Sequence, residues 1–403
     1  MMRIHLFLIA ALLLLASCGQ EKGADNMTGK SWAEIESMAR GTTVNLMMWG
    51  GDPFINAYMK NYVVPALQKE HGVTLNIVEG QGSRVVRLVM TELEAGRSES
   101  EIDMAWINGE TFYQLRQINA LYGPFTDRLP NGTYIDFENP FISTDFQQPV
   151  NGMECPWGNV QLAIIYDNER VPEPPRTMAA LSDWVKANPG RFTLTTDFTG
   201  MTLLKSFLID LAGGKNALAG PFDPQKYQRL SGELWAYLNA NKPYFWKEGK
   251  TFPDAIAQMH QMFANGEIDF TMSNNDGEVD NKVVLGVFPN TARSYVFDAG
   301  TIQNSHYMGI MAHGANKAGA MVVCNFLISP AAQLEKMNPE VWGDGTILAV
   351  ERLPEPWPEK FRTIPGRRYA LKRNEIKDKA LAEIAPEYMI RLYEDFRREV
   401  IEK

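Results

Sequence analysis

Cysteine is scarce: the 403 residues hold three, at positions 18, 155 and 324. Cys155 and Cys324 are the only pair open to a disulfide if Cys18 is otherwise engaged. Cys324 lies in an apolar helical run and reads as a buried free thiol. Histidines are few, and His71, His260, His306 and His313 show no short metal-ligand spacing, so no metal site is expected. Positive charge is in deficit, with 39 Lys and Arg against 48 Asp and Glu and a net charge of −9. That balance argues against a nucleic-acid partner and favours cationic ligands. Beyond the first residues no apolar run is long enough to span a membrane. No Gly-x-Ser-x-Gly, His-Glu-x-x-His or Walker A sequence is present, and no cofactor is expected. Glycosidases need no short motif, so a secreted hydrolase working through cleft carboxylates stays open as the alternative.

What is present begins at the N-terminus. Arg3 precedes the apolar run Phe7 to Leu15, and Leu15-Ala16-Ser17-Cys18 closes it with small residues before a cysteine. The run is too short for a transmembrane helix and reads as a cleaved leader over residues 1–17. The polar, Gly-containing stretch from Glu21 suits a tether, placed within 18–40.

The rest alternates strand and helix. Val44–Trp49, Val73–Val78 and Ile102–Ile107 read as strands, each followed by a polar turn and a helix, which implies a parallel sheet. The stretch Glu154 to Tyr166 begins with a Pro156-Trp157-Gly158 turn and runs into an alternating apolar segment, read as a crossover between two α/β lobes. Phe192–Thr196 and Ile268–Ser273 read as strands of the second lobe, and Met308–Ala312 as a return strand. The expected division is 41–158 with 300–345 in one lobe, and 159–299 with 346–403 in the other.

Open α/β sheets place ligands beyond the carboxyl ends of their strands. The turns there nominate Trp49, Asp52, Ser83, Asn108 and Glu110 from the first lobe and Trp157 from the crossover. The second lobe contributes Asp197, Thr199, Trp246 and Asn275. The indoles of Trp49, Trp157 and Trp246 offer faces for a cation or a flat ring. Asp52, Glu110 and Asp197 offer countercharge, although for each a helix N-cap is the competing role. Gly80-Gln81-Gly82-Ser83 and Thr199-Gly200 stand at helix starts, where free amides suit an anion such as phosphate.

The Leu-Ala-Ser-Cys ending resembles the bacterial lipobox. With the strand ending at Trp49, Ile102–Ile107 and the late stretch Phe326-Leu327-Ile328-Ser329-Pro330, it makes the chain similar to extracellular solute-binding proteins of ABC importers. The branch is the one holding polyamine, thiamine and iron binders. Trp49-Gly50-Gly51-Asp52, Pro156-Trp157-Gly158, Asp197-Phe198-Thr199-Gly200, Trp246 to Lys250 and Val341-Trp342-Gly343-Asp344 resemble its YnjB-type subgroup. The resemblance implies an α/β, two-lobe, type II periplasmic-binding-protein fold, each lobe a mostly parallel sheet flanked by helices, with two crossover strands at the hinge. It implies a lipid-anchored monomer, held through Cys18 in the periplasm or at the cell surface. It further implies delivery of a small solute to a permease and its ATPase, but it supplies no ligand; the indoles, acids and helix-start turns themselves suit a thiamine-like or other organic cation, with or without phosphate. Iron-binding relatives use adjacent tyrosines, and this chain has no Tyr-Tyr pair.

Overall fold

The computed structural model describes residues 27–403; the leader and Cys18 lie outside them. In chain order the strands are β1 (Thr43–Met48), β2 (Thr74–Glu79), β3 (Met104–Ile107), β4 (Leu121–Tyr122), a short hairpin of β5 (Thr144–Asp145) and β6 (Gln148–Pro149), and β7 (Glu154–Gln161). They continue with β8 (Ala163–Asp167), β9 (Phe270–Ser273), β10 (Ala292–Tyr295), β11 (Thr301–Met311) and β12 (Ala380–Leu381). The larger sheet runs β12-β11-β3-β1-β2, with β4 and β7 also paired to β11. β1 is parallel to β2 and β3, whereas β3 and β7 run antiparallel to β11. The smaller sheet is β10-β8-β9.

Two passages join the sheets. β7 ends at Gln161 and β8 begins two residues later, while β10 returns through 296–300 into β11. Leu162 N–H donates to Ile302 O at 2.8 Å, so the passages are tied where they cross. Gln161 N–H donates to the buried Asp276 Oδ1 at 3.0 Å, and Asp276 also pairs with Arg373 at 2.8 Å.

The core divides with the sheets. One cluster, with Leu46, Met104, Trp157, Met308, Met321 and Phe326, backs the larger sheet; another, with Ile164, Leu204, Leu234, Phe263 and Phe270, surrounds the smaller one. The helix Phe198–Leu211 lies in the second cluster, nearly every residue buried. Ile347, Leu348, Leu353 and Phe361 pack on the larger lobe's core, so the segment after 345 starts there; Ile376 onward includes the smaller core's Tyr388, Leu392 and Phe396. The helix Pro386–Phe396 touches both Gly109–Gln117 and Phe198–Leu211, spanning the lobes. Cys155 and Cys324 are both free and buried. Among the described residues no single helix is long and apolar enough to cross a membrane.

Three local readings change. The smaller sheet is antiparallel in both its pairings rather than mostly parallel. Phe192–Thr196 forms no strand; it is largely buried, with isolated bonds such as Trp246 N–H to Phe192 O at 2.8 Å and Thr196 N–H to Pro253 O at 3.0 Å in place of a ladder. Pro156-Trp157-Gly158 is not a turn but the middle of β7, with Tyr307 opposite Pro156 and His306 opposite Gly158. Trp157 is the extra residue of a bulge, which bends the strand locally.

Candidate functional site

The carboxyl ends of β1 and β3 and the loop after β9 converge on a cavity of about 140 Å³. Asp52 ends the β1 turn and caps the helix Pro53–Tyr58, with Pro53 at its first position. Its Oδ1 accepts from Phe54 N–H at 2.7 Å and Ile55 N–H at 3.1 Å. Its Oδ2 pairs with Lys282, which also stands 3.1 Å from Glu278 Oε1. Burial opposes the Lys282 charge, but the two carboxylates outweigh it and hold the ammonium above its ordinary range. Burial likewise opposes the Glu278 charge, and Lys282 with His260 holds that carboxyl far below the usual range. Ser273 Oγ donates to Glu278 Oε2, and His260 Nδ1 bonds Thr271 Oγ1 at 2.9 Å.

Asp197 is saturated. Its Oδ1 accepts from Thr195 Oγ1, Thr199 N–H and Gly200 N–H at 2.6, 3.1 and 3.3 Å, and its Oδ2 from Ile256 N–H at 2.6 Å. The free amides that Thr199-Gly200 offered to an anion are therefore taken by the chain's own cap.

At the other end of the cavity Trp106, Trp342 and His306 form a corner around Asp344. Trp106 lies 5.2 Å from His306 and 6.2 Å from Trp342, and His306 stacks on Trp342 at 5.9 Å with an 18° tilt. His306 Nε2 is 2.9 Å from Asp344 Oδ2, which Lys336 also engages. A side chain at Gly158 would collide with His306 and Asp344, so the glycine in β7 is what lets this pair approach the strand. Burial raises the Asp344 carboxyl, but Lys336 and His306 outweigh it and hold it at about 2. Asp344 Oδ1 is buried without a hydrogen-bond partner. Every other carboxylate oxygen of the acids lining the cavity has one.

Of the residues nominated from sequence, Trp49, Asp52, Asn108, Asp197, Thr199 and Asn275 line the cavity. The other four stand apart from its wall. Trp157 is wholly buried behind it, 5.0 Å edge-on from Trp106 and 5.3 Å from Trp342. Ser83 is exposed and accepts from Arg87 at 3.2 Å. Glu110 is absent from the wall, and burial pushes its carboxyl up to about 7. Trp246 packs on the smaller lobe's core, with the Lys247 ammonium 4.1 Å from its ring. Sequence reasoning did not nominate Trp106, His306, Trp342, Asp344, His260 or Glu278. Trp106 sits inside an ordinary strand pattern. Trp342-Gly343-Asp344 repeats the indole-glycine-acid grouping of Trp49 to Asp52, the one signal that could have marked it. Among the described residues no group of His, Cys, Asp and Glu is placed to hold a metal ion.

Comparison with known proteins agrees with this architecture. Residues 63–362 match the family described as bacterial extracellular solute-binding protein. The protein YnjB of Escherichia coli (strain K12) is 37% identical over 328 residues, 80% of this chain and 84% of its own. Among solved structures, the Tp0655 (TpPotD) lipoprotein of Treponema pallidum superposes with TM-score 0.64 at 14% identity, over 90% of this chain and all of that one. The periplasmic binding protein AfuA of Actinobacillus pleuropneumoniae, with fructose-6-phosphate bound, gives 0.63 at 12% identity, over 89% and 98%. Iron-bound HitA of Pseudomonas aeruginosa gives 0.59 at 14% identity, over 89% and 99%. These low identities speak to the fold alone, a two-lobe type II binding protein. The chain belongs to the bacterial extracellular solute-binding proteins, a family of transport binders and not of enzymes.

Proposed function

We propose that the cleft captures an organic cation with a flat ring, of thiamine type, and that the lobes close over it before delivery to a permease and its ATPase. The observation that carries this reading is the Asp344 corner. An ionised carboxylate there has one buried oxygen without a hydrogen-bond partner, in the corner built by Trp106, Trp342 and His306. A cation over an indole gains about 0.5–2 kcal/mol, and a hydrogen bond to a charged acceptor about 1.5–3. Closure needs contacts from both lobes, and the cavity wall draws on both. Phosphate alone has less support: among the described residues no Lys or Arg lines the cavity, and the helix start at Phe198 is already capped. The ligand names carried by the T. pallidum, A. pleuropneumoniae and P. aeruginosa proteins differ from one another, so the site has to be argued from its own groups.

Thermal-shift screening of thiamine, its phosphates, polyamines and sugar phosphates tests the proposal, since a ligand bound to the fold raises the melting temperature. A shift with sugar phosphates and none with any cation would reject it. Membrane attachment through Cys18 belongs to the same proposal. Labelling cells with a radioactive fatty acid should mark the wild type and not Cys18→Ala; label on both would reject that anchor.

A further inference from the structure

Four acids line the cavity: Asp52, Asp197, Glu278 and Asp344. A wall this acidic suits a ligand with several ammonium groups, yet most of its acceptors are already used. Asp197 is filled by one hydroxyl and three backbone N–H groups, at the start of a long helix whose dipole offsets its charge. Asp52 and Glu278 share Lys282. That lysine belongs to the smaller lobe, on the helix Glu278–Val284, whereas Asp52 follows β1 in the larger one. Its ammonium therefore bridges two cavity acids from opposite sides of the cleft. The lysine is 3% exposed and its ammonium lies 4.4 Å from the centre of the Phe54 ring, so it is enclosed rather than swinging in solvent.

We infer that Lys282 is a specificity-determining residue, a built-in ammonium that occupies the place of a second ligand charge and restricts the cavity to cations with one charged group. The inference rests on the organic-cation reading of the cavity. A ligand with one cationic group finds its acceptor at Asp344 Oδ1. A second ammonium directed toward Asp52 and Glu278 meets filled acceptors and a like charge in a partly desolvated site. With Lys282 replaced by an apolar side chain, Asp52 Oδ2 and Glu278 Oε1 both lose that ion-pair partner, and the preference should invert.

The test uses two probes with the same ring, benzylammonium and 1,4-bis(ammoniomethyl)benzene, titrated calorimetrically into the intact protein at fixed ionic strength. Wild type should bind the single cation at least about tenfold more tightly, the worth of one charge-assisted hydrogen bond. Lys282→Met should bring the ratio to unity or reverse it, and Lys282→Arg should keep the wild-type ratio. If Lys282→Met does not fold, Lys282→Met with Asp52→Asn removes one charge of each sign, leaves Glu278 without its lysine, and should move the ratio the same way. Equal or tighter binding of the dication by wild type, or an unmoved ratio in the folded Met variants, overturns the Lys282 inference alone. Failure of both probes to bind wild type overturns the organic-cation reading and this inference with it.

Discussion

Trp157 and Trp342 meet with ring centroids 5.3 Å apart at 59°, the first sealed in the core and the second on the cavity wall. The strand residue thus serves as the backing on which the indole of the cavity wall rests. Trp157→Ala removes a fully buried indole and should cost about 3–5 kcal/mol of unfolding free energy, read by urea titration. The same variant should loosen ligand binding less than Trp342→Ala does. The reverse order of affinities would place the ligand against Trp157 instead.

Asp344→Asn keeps the shape of the corner and removes its charge. Affinity for the best cationic ligand from the screen should fall about 10- to 100-fold by calorimetry, the loss expected for a charge-assisted contact. An unchanged affinity in the folded variant would take Asp344 out of the site.

Lys336 is fully buried and holds Asp344 together with His306. Lys336→Met leaves an uncompensated carboxylate in the interior, and the expected destabilisation is about 3–5 kcal/mol. Lys336→Met with Asp344→Asn should recover most of that loss in denaturant unfolding, because the stranded charge is gone. No recovery would mean that the lysine acts through packing.

The buried acids around Lys205 are expected to shape the pH response. Glu110 is pushed up to about 7 by burial; burial and neighbouring carboxylates raise Asp145 as well, and burial raises Glu383, all around Lys205. A carboxyl raised in the fold holds its proton more tightly there than in the unfolded chain. Its contribution is complete below the unfolded value of about 4.3 and is lost as pH rises through about 7. Stability should therefore decline across that interval, by at most about 1.4 kcal/mol per pH unit for each such proton. Asp344 and Glu278, held low, act in the opposite sense, and their contribution is lost only in stronger acid. Glu110→Gln should flatten the decline in denaturant titrations from pH 5 to 8. An equal slope in the variant would assign the decline to other groups.

Much of this protein is written locally. The Asp52-Pro53 and Asp197-Phe198 pairs announce helix starts, and the structure finds both caps, bonded to N–H groups two and three residues ahead. The ends of β1, β3 and β9 fix where a cleft must open, which is why Trp49, Asn108 and Asn275 could be placed on its wall from sequence. The same local chemistry misleads where long-range pairing decides. Pro156-Trp157-Gly158 looks like a turn until β11 binds along it, and Phe192–Thr196 looks like a strand although no neighbour completes a ladder. The corner around Asp344 is completed only by tertiary structure. Lys336, Trp342 and Asp344 share one stretch of chain, but Trp106 and His306 reach it from β3 and β11, and a glycine in β7 gives His306 and Asp344 room. Sequence by itself determined the lobes' alternating plan and the capped turns at the strand ends, because those depend on neighbours a few residues away. Which cavity carboxylates are fully partnered and which keeps an unpartnered oxygen was decided only by the fold, because Lys282 reaches Asp52, Ile256 reaches Asp197 and His306 reaches Asp344 from distant elements through packing.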